Sequence, residues 1–301
     1  MLATVRPLLR PLPLIGISAS GFLLAASLTS RSRPSLTMST TASRDWPVKA
    51  YEPRHSSWPY AENDFKRQDP SVDTSFYSSP RFVTHIDDAA IATLREYYDT
   101  TLPRQGRILD FCSSWVSHYP ESVEKAAEKG DVKVIGMGMN KAELDANEVL
   151  NSGKLILDLN ETPNIAEALQ KAQLVSQDDG EKLDASTNVV STDYLTQPVE
   201  VLRSLREVTR SGGTVHLTIS NRCFPTKAIN RWLRVDETER LLMVGDFLHF
   251  AGWHNIEIVE LSNGKADESG DSKPAEGLQA FMAMMGMSGR RDPLWVVRAV
   301  K

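Results

Sequence analysis

The sequence has few cysteines and no excess of positive charge, and both shortages exclude classes of protein. Its 301 residues include two cysteines, Cys112 and Cys223, which lie far apart and match no metal-ligand spacing. A zinc ribbon, an iron-sulfur centre and a disulfide-framed secreted scaffold therefore lack support, and we expect a reduced compartment and no metal site. The formal net charge is -5. Because no basic field is available to attract polyanions, we expect no nucleic-acid partner.

Acidic residues and lysine are absent from residues 1–44, which contain five arginines and many serines and threonines. This composition is typical of an organelle transit segment, so we predict a targeting segment, cleaved or disordered, for a mitochondrion or a plastid. The apolar stretch 12–28 makes a secretory signal or a membrane anchor the alternative. That stretch is at the lower limit for a membrane span and is diluted by Gly16 and Gly21. We therefore expect no stable membrane insertion of the mature domain.

The remaining sequence divides into an arm and a domain. Residues 45–85 lack a sustained period and are rich in proline, serine and aromatic residues, which predicts an N-terminal arm lying on the core. We assign residues 86–301 to one domain with a loose insertion at 262–292. The first half of this insertion is charged and the second is rich in methionine. It is interpreted as a lid or apolar substrate platform, with a helix on the protein flank or a weak membrane contact as the alternatives.

Short apolar segments alternate with helical periods through the domain. Strands are predicted at 107–111, 132–137, 154–159, 186–191 and 214–220, with a helix after each of the first four. Helical spacing also runs through 86–98 and 226–250. The pattern predicts an α/β fold, a parallel sheet covered by helices on both faces. The last two strands, 255–261 and 294–300, lack a convincing crossover helix, so we expect the last strand to be reversed.

Six parallel strands and a reversed seventh resemble the Rossmann-like fold of class I S-adenosylmethionine-dependent methyltransferases. The turn after the first strand, DFCSSWVSH (110–118), contains no G-x-G-x-x-G, which argues against a nicotinamide-dependent oxidoreductase. It resembles the first methyltransferase motif, with Cys112, Ser114 and Val116 where glycines are usual. The serine hydroxyls are expected either to bind the methionine part of a cofactor or to cap the next helix.

The ends of the next strands depart from the methyltransferase pattern to different degrees. Gly138 stands where the family usually has an acid for the ribose hydroxyls, and Asn140 is the nearest substitute. Asp158 matches the acidic position near the adenine amino group. Asp193 and Tyr194 follow the fourth strand, where such enzymes orient or deprotonate the acceptor. His118, Asn221, Arg222 and Cys223 are expected around the same opening.

Several motifs together are similar to a little-described methyltransferase-like family of plants, algae and bacteria, of the methyltransferase type 11 kind. They are DFCSSWVSH, GMGMNKAEL, LDLN, STDYLTQP, SNRCFPTKA and DPLWVV, and the resemblance covers about residues 75 to 301. It implies a transferase that uses S-adenosyl-L-methionine on a small-molecule methyl acceptor, with Asp193 and Tyr194 as catalytic residues. The cofactor-binding residues that it implies are Asp110, Cys112, Ser113, Ser114, Gly136, Met137, Asn140, Asp158, Leu159, Asn160 and Ser191.

Two other functions stay open at this point. A catalytically weakened S-adenosylmethionine-binding or regulatory protein on the same fold is the main alternative, because the glycines and the ribose-binding acid are missing. An oxidoreductase is the other. Fold alone does not fix chemistry, so the strand-end residues must decide. The acceptor, the oligomeric state and the organelle do not follow from the sequence.

Overall fold

A mixed eight-stranded sheet organises the chain. The computed structural model describes residues 45–264 and 291–301. The strands, in chain order, are β1 Val48–Ala50, β2 Gly106–Phe111, β3 Val132–Gly138, β4 Gly153–Ile156, β5 Leu183–Val189, β6 Thr209–Ser220, β7 His254–Ser262 and β8 Leu294–Val300. Their order across the sheet is β4-β3-β2-β5-β6-β8-β7-β1. The chain thus builds outward from β2 in one direction and then restarts at β5 on the other side.

The strand directions confirm the predicted α/β fold with a reversed last strand. Strands β2 to β6 pair in parallel, and β8 lies antiparallel to both β6 and β7. Six strands therefore share one direction and β8 opposes them. The sheet has one strand more than the seven we predicted, because β1 from the arm pairs antiparallel with β7. This pairing covers the backbone groups that the edge of β7 would otherwise expose.

Helices cover both faces of the sheet. They are α1 Asp73–Phe76, α2 Asp88–Thr101, α3 Glu121–Glu128, α4 Lys141–Ala146, α5 Ile165–Lys171, α6 Pro198–Val208, α7 Asn230–Arg234 and α8 Glu237–Phe250. The predicted helical stretch 226–250 is two helices, since Asp236 adopts an extended conformation and its side chain caps α8 by accepting from the backbone N–H of Glu239 at 2.9 Å. Among the described residues, no helix is long and apolar enough to cross a membrane.

Side chains of the strands alternate between two hydrophobic clusters. In β2, Leu109 and Phe111 belong to one cluster and Ile108 to the other; in β8, Trp295 and Val297 oppose Val296 in the same way. Successive residues of a strand point to opposite faces, so the two clusters are the two faces of the sheet. Both faces are buried by helices, which explains the nearly continuous apolar runs in the sequence.

The arm is held to the domain through one buried carboxylate of α8. Asp246 accepts hydrogen bonds from the hydroxyls of Tyr51, at 2.6 Å, and Tyr60, and from Nη2 of Arg54 at 2.7 Å. Glu239 binds the same guanidinium. The predicted targeting segment 1–44 and residues 265–290 of the insertion lie outside the described residues. The functions assigned to them from the sequence stay predictions.

Candidate active site

A cavity of about 370 Å³ opens at the carboxyl ends of the parallel strands. Each of the strands β2 to β6 contributes residues at or just after its end: Cys112 to Ser114 for β2, Gly138 and Met139 for β3, Leu157 to Asn160 for β4, Val189 to Ser191 for β5, and Arg222 to Phe224 for β6. The strand order reverses between β2 and β5 beneath it. This is where open parallel sheets bind ligands.

Asp110 organises the loop after β2. Its Oδ2 accepts hydrogen bonds from the hydroxyls of Ser113 and Ser117, both at 2.7 Å, and its Oδ1 accepts one from Thr187 at 3.3 Å. Burial raises the pKa of Asp110 to about 6. These bonds fold the loop back over the strand end. The carboxylate that begins the first motif therefore shapes the floor of the cavity.

The serine hydroxyls of this loop do not cap the following helix, and their contact with a cofactor stays a prediction. Ser113 donates to Asp110, and Ser114 donates to Oε2 of Glu143 at 2.6 Å. The following helix, α3, begins after Pro120, so the serines do not cap it. Both serines nevertheless line the cavity. Their hydrogen bonds hold the loop in place.

Three residues at the cavity, Cys112, His118 and Val190, have the left-handed backbone conformation that favours glycine. Cys112 follows β2 directly and has a φ of 55°, and Val190 follows β5 directly with a φ of 45°. For a β-branched residue such as valine this conformation is strained. Cys112 thus keeps the backbone turn of a glycine although the loop has none. Strain of this kind concentrates at functional sites, and at Cys112 and Val190 it lies at the two strands that flank the reversal of strand order.

Gly138 cannot be replaced by the acid that methyltransferases usually have there. A Cβ at this position would lie 2.1 Å from the backbone oxygen of Ser113. The backbone N–H of Ser113 in turn donates to the oxygen of Met137 at 2.7 Å. The loop after β2 therefore packs directly on the end of β3. An acid at position 138 would therefore require the loop to shift.

Asn140 and Glu143 both lie at the start of α4 but have different roles. The side chain of Asn140 accepts from the backbone N–H groups of Ala142 and Glu143, at 2.9 and 3.2 Å, so it caps the helix and does not line the cavity. Glu143 does line the cavity and accepts from the backbone N–H of Arg81 at 2.7 Å. We did not single out Glu143 from the sequence. Its spacing of three from Asn140 is the capping-box pattern that could have indicated it.

Gly136 and Met137 are not brought to the cavity. A Cβ on Gly136 would lie 2.3 Å from a methyl carbon of Leu150, and Met137 is fully buried in the core. Both are internal to β3, because the strand extends to Gly138. Leu159 and Ser191, in contrast, line the cavity as the sequence placed them. Contact of Leu159 or Ser191 with a cofactor stays a prediction, as it does for Gly136 and Met137.

The end of β4 is braced against the arm and against the end of β5. Asp158 accepts from the backbone N–H of Asn160 at 2.9 Å. The side-chain amide of Asn160 donates to Oδ2 of Asp73 at 2.8 Å and to the backbone oxygen of Tyr194 at 3.0 Å. Asp158 and Asn160 both line the cavity. Asn160 thus acts as a bridge that fixes the spacing of three cavity walls.

Tyr194 reaches the cavity and Asp193 lies beneath it. The Tyr194 hydroxyl accepts from the backbone N–H of Phe224 at 2.8 Å, and burial raises the pKa of Tyr194 well above its ordinary value. The residue keeps its proton at neutral pH. Asp193 is 3% exposed, its Oδ2 has no hydrogen-bond partner, and burial raises the pKa of Asp193 to about 8. It is not among the residues that line the cavity.

The Asp193→Asn variant is expected to unfold less readily than the wild type above pH 8 and to show a flatter dependence of stability on pH. The folded protein holds the Asp193 proton up to about pH 8, whereas the unfolded chain releases it near its ordinary pKa of 3.8. The stabilisation is therefore complete below about pH 4 and is lost as the pH rises through 8. Urea unfolding at pH 5, 7 and 9 measures this. Asp88→Asn at an exposed position is the control, and equal pH profiles for the three proteins would contradict the assignment.

Residues of the arm form one side of the cavity, which we call its roof. The sequence pattern did not predict that the arm contacts the site. Asp73, Tyr77, Arg81 and His85 line this side, and the indole of Trp115 in the loop after β2 donates to the backbone oxygen of Val83 at 3.0 Å. The many aromatic residues of the arm were the feature of the sequence that could have indicated this contact. The arm is therefore part of the site.

A buried ion cluster fixes the start of this roof. Asp73 forms ion pairs with Arg67 at 2.7 Å and with the fully buried Lys227 at 3.2 Å. Burial acts to raise the pKa of Asp73, but the hydrogen bonds from Arg67 and Asn160 and the neighbouring charges hold it below its ordinary value. Asp73 is therefore ionised. Lys227 also binds the backbone oxygen of Ser71 at 2.7 Å.

Two histidines line the cavity in their neutral form. Burial lowers the pKa of His118 to about 4, and burial also lowers the pKa of His85. Cys112 and Cys223 are free thiols at the same cavity, and burial raises the pKa of both. Among the described residues, no group of three or more potential metal ligands is present. The polar groups of the site are thus uncharged thiols, imidazoles and hydroxyls between a few carboxylates and arginines.

The strand order with reversed β8, together with a cavity at the carboxyl ends of β2 to β6, defines the class I methyltransferase fold. The fold assignment rests on this chain's own strand order and directions. No protein-family model matches the sequence. No curated protein sequence matches it either.

Solved structures of similar fold include a SAM-dependent methyltransferase from Archaeoglobus fulgidus, with 15% identity, a TM-score of 0.43, and coverage of 71% of this chain and 94% of that one. The cyclase SpnF has 17% identity and a TM-score of 0.44, over 76% of this chain and 91% of its own. Geranyl diphosphate C-methyltransferase from Streptomyces coelicolor, solved with Mg²⁺, geranyl diphosphate and S-adenosyl-L-homocysteine, has 11% identity and a TM-score of 0.42, over 75% and 96%.

Proposed function

We propose that this protein is an S-adenosylmethionine-dependent methyltransferase that acts on a small molecule. The observation that carries the proposal is the position of the cavity. It lies where the strand order reverses between β2 and β5, and residues at or just after the end of each of the strands β2 to β6 line it. Its volume of about 370 Å³ is in the range of small-molecule sites. The polar residues that line it are of the types that recognise such a cofactor.

The residues present fit the cofactor, with one departure from the usual pattern. Cys112 supplies the left-handed turn after β2, which brings the backbone of Ser113 and Ser114 close to the cavity. Asp158 at the end of β4 is the acceptor for the adenine amino group. Glu143 is the carboxylate available on the side where Gly138 leaves no room for an acid. These residues would hold S-adenosylmethionine.

When bound, S-adenosylmethionine supplies an electrophilic methyl group on a sulfonium sulfur. The chain then has to orient the acceptor, exclude water and receive a proton where the acceptor carries one. The arm performs the exclusion, because its residues 73–86 close the cavity above the strand ends. Tyr194, protonated and fixed by the N–H of Phe224, orients the acceptor by donating its hydroxyl proton. His85 and His118 also line the cavity, and the burial that lowers the pKa of each makes it a weak proton acceptor.

We also propose a role for Asp193, although its side chain does not line the cavity. Its Oδ2 is buried and without a hydrogen-bond partner, and it lies in the turn that positions Tyr194. A carboxyl group with a pKa of about 8 exchanges its proton near neutral pH. We propose that its ionised form, the minor form at neutral pH, takes up the proton that the acceptor releases. A regulatory protein that binds the same cofactor without turnover is the alternative that an acceptor screen distinguishes.

Calorimetric titration with S-adenosylmethionine and S-adenosylhomocysteine tests cofactor binding. We expect the wild type to bind both, and Ser114→Trp, which fills the cavity beside Glu143, to bind neither. Asp158→Asn is expected to bind about tenfold more weakly, because an amide replaces a charged hydrogen-bond acceptor. Asp178→Asn, in the exposed turn before β5, is the control and should bind as the wild type does.

No binding of either compound to the folded wild type would reject the proposal. Binding with no methyl transfer to any compound in a broad acceptor screen would favour the regulatory protein. Protection of the wild type by a nicotinamide dinucleotide but by neither adenosyl compound would indicate an oxidoreductase instead.

A further inference from the structure

The roof of the cavity contains a guanidinium nitrogen that is buried and has no partner. Arg81 lines the cavity, and its Nη1 has no hydrogen-bond partner. Its Nη2 donates to the backbone oxygen of Phe76 at 3.0 Å, and its backbone N–H donates to Glu143. A buried donor that is left unsatisfied destabilises the folded protein. Because Nη1 is also shielded from solvent, a ligand in the cavity satisfies this donor once the neighbouring side chains shift.

Three aromatic rings hold the guanidinium of Arg81. Its Cζ is 4.5 Å from the centroid of Phe76 and 5.6 Å from the centroids of both Tyr77 and Phe224. The ring of Phe76 contacts the other two, at centroid distances of 4.9 and 5.5 Å. Cation–π contacts on several sides fix the position and plane of a guanidinium. A group held in this way loses little conformational freedom when it binds.

The other cations near this side of the cavity have their charges matched. Arg67 pairs with Asp73, Lys227 with Asp69 and Asp73, and Arg222 with Asp292, all at distances from 2.7 to 3.2 Å. Within the described ranges, Arg81 forms no ion pair of 4.0 Å or less. Glu143 is next to it, but that carboxylate accepts from the Arg81 backbone and from Ser114. The positive charge of Arg81 is thus available to an anion in the cavity.

We propose that Arg81 is the anion-recognition residue of this cavity and that the ligand presents a carboxylate or phosphate oxygen to its Nη1. An arginine fork matches the geometry of both groups. Which molecule carries the anion rests on the proposed function: it is either the amino-acid carboxylate of the cofactor or an acidic group of the methyl acceptor. The position of Arg81 above Phe224, which follows β6, places the anion near the ends of β5 and β6.

The test uses the full-length chain and three probes in calorimetric titrations. S-adenosylhomocysteine carries the amino-acid carboxylate, 5′-methylthioadenosine lacks the amino-acid group, and inorganic phosphate is titrated at constant ionic strength with and without saturating S-adenosylhomocysteine. The variants are Arg81→Met and Arg81→Lys. Arg234→Met is the matched control, since Arg234 is an exposed arginine paired with Asp64. Thermal melting shows whether each variant is folded.

We expect Arg81→Met to weaken binding of at least one anionic probe about tenfold or more, and Arg234→Met to change none. A loss for S-adenosylhomocysteine with methylthioadenosine unchanged assigns the cofactor carboxylate. A loss of phosphate binding to the S-adenosylhomocysteine-bound protein assigns the acceptor. If Arg81→Met does not fold, Arg81→Lys decides, because it keeps the charge without the planar fork and is expected to bind the same probe more weakly.

Failure of this proposal differs from failure of the proposed function. Arg81 variants that bind every probe as the wild type does would overturn the anion site while leaving methyl transfer intact. A wild type that binds neither adenosyl compound would reject the proposed function. The phosphate titration without S-adenosylhomocysteine would then still decide the role of Arg81, and equal phosphate binding by wild type and Arg81→Met would overturn it.

Discussion

Gly138→Ala is expected to destabilise the protein by about 3 kcal/mol or more, at the upper end of the cost of overpacking a well-packed position. The added Cβ would lie 2.1 Å from the backbone oxygen of Ser113, so the contacted group is main chain and cannot rotate away. The loop after β2 must shift, and it carries Cys112 and Ser114 at the cavity. We therefore expect cofactor binding to be lost together with stability. Urea unfolding and calorimetric titration measure the two effects.

Gly138→Asp is the sharper form of the same experiment, since it restores the acid that methyltransferases usually have at this strand end. We expect it to be at least as destabilised as the alanine variant and not to gain affinity for the cofactor. Gly180→Ala is the matched control, because the nearest atom to its added Cβ is 3.9 Å away. A stable Gly138→Asp protein that binds S-adenosylmethionine more tightly than the wild type would show that the loop has room for the acid.

Lys227→Met is expected to lower the free energy of unfolding by about 3–5 kcal/mol, because removal of one member of a buried ion cluster leaves charge without compensation. The Lys227 side chain is fully buried and contacts Asp69 at 3.1 Å and Asp73 at 3.2 Å. Asp73 would keep Arg67 alone as a cationic partner. Since Asp69, Ser71 and Asp73 attach the arm at this point, the variant should also be cut sooner by protease between residues 66 and 86.

The control for Lys227→Met is Lys125→Met, which removes an exposed ion pair with Glu121 and is expected to unfold close to the wild type. Addition of Asp73→Asn to Lys227→Met removes the uncompensated charge. We expect the double variant to be less destabilised than the sum of the two single variants, as coupled partners require. Additive effects in this cycle, or wild-type protease resistance of Lys227→Met, would show that the cluster does not hold the arm.

The order of strands and helices followed from local patterns in the sequence. Apolar runs bounded by turns predicted the strands, and side chains from a strand such as β2 do divide between the two faces of the sheet. The reversed last strand followed from the lack of a crossover helix before it. These features depend on neighbours within a few residues, which is why the sequence was sufficient. The extra strand β1 was missed because three residues without a clear period pair only through contact with β7.

Some residues of the cavity were likewise predictable from the sequence, and others were not. Positions within a few residues after a strand, such as Cys112, Asp158 and Tyr194, were predictable because every parallel strand delivers its carboxyl end to one edge of the sheet. Gly136 and Met137 were assigned to the site through the family resemblance, but both lie within β3, which extends to Gly138. The position of Glu143 at the cavity depended on the capping of α4 by Asn140, which a motif comparison does not register.

By itself the sequence determined the fold class and the strand ends that carry the site. The tertiary structure decided what those strand ends can do. In the sequence, Gly138 stands at a position where an acid is usual. In the structure, the backbone oxygen of Ser113 occupies the space that a side chain at this position would need. The sequence does not distinguish Lys227, Arg67 and Arg81. In the structure, Lys227 and Arg67 each form an ion pair, whereas Arg81 forms none with a described residue. Steric room and charge pairing depend on atoms that are distant along the chain, so only the fold specifies them.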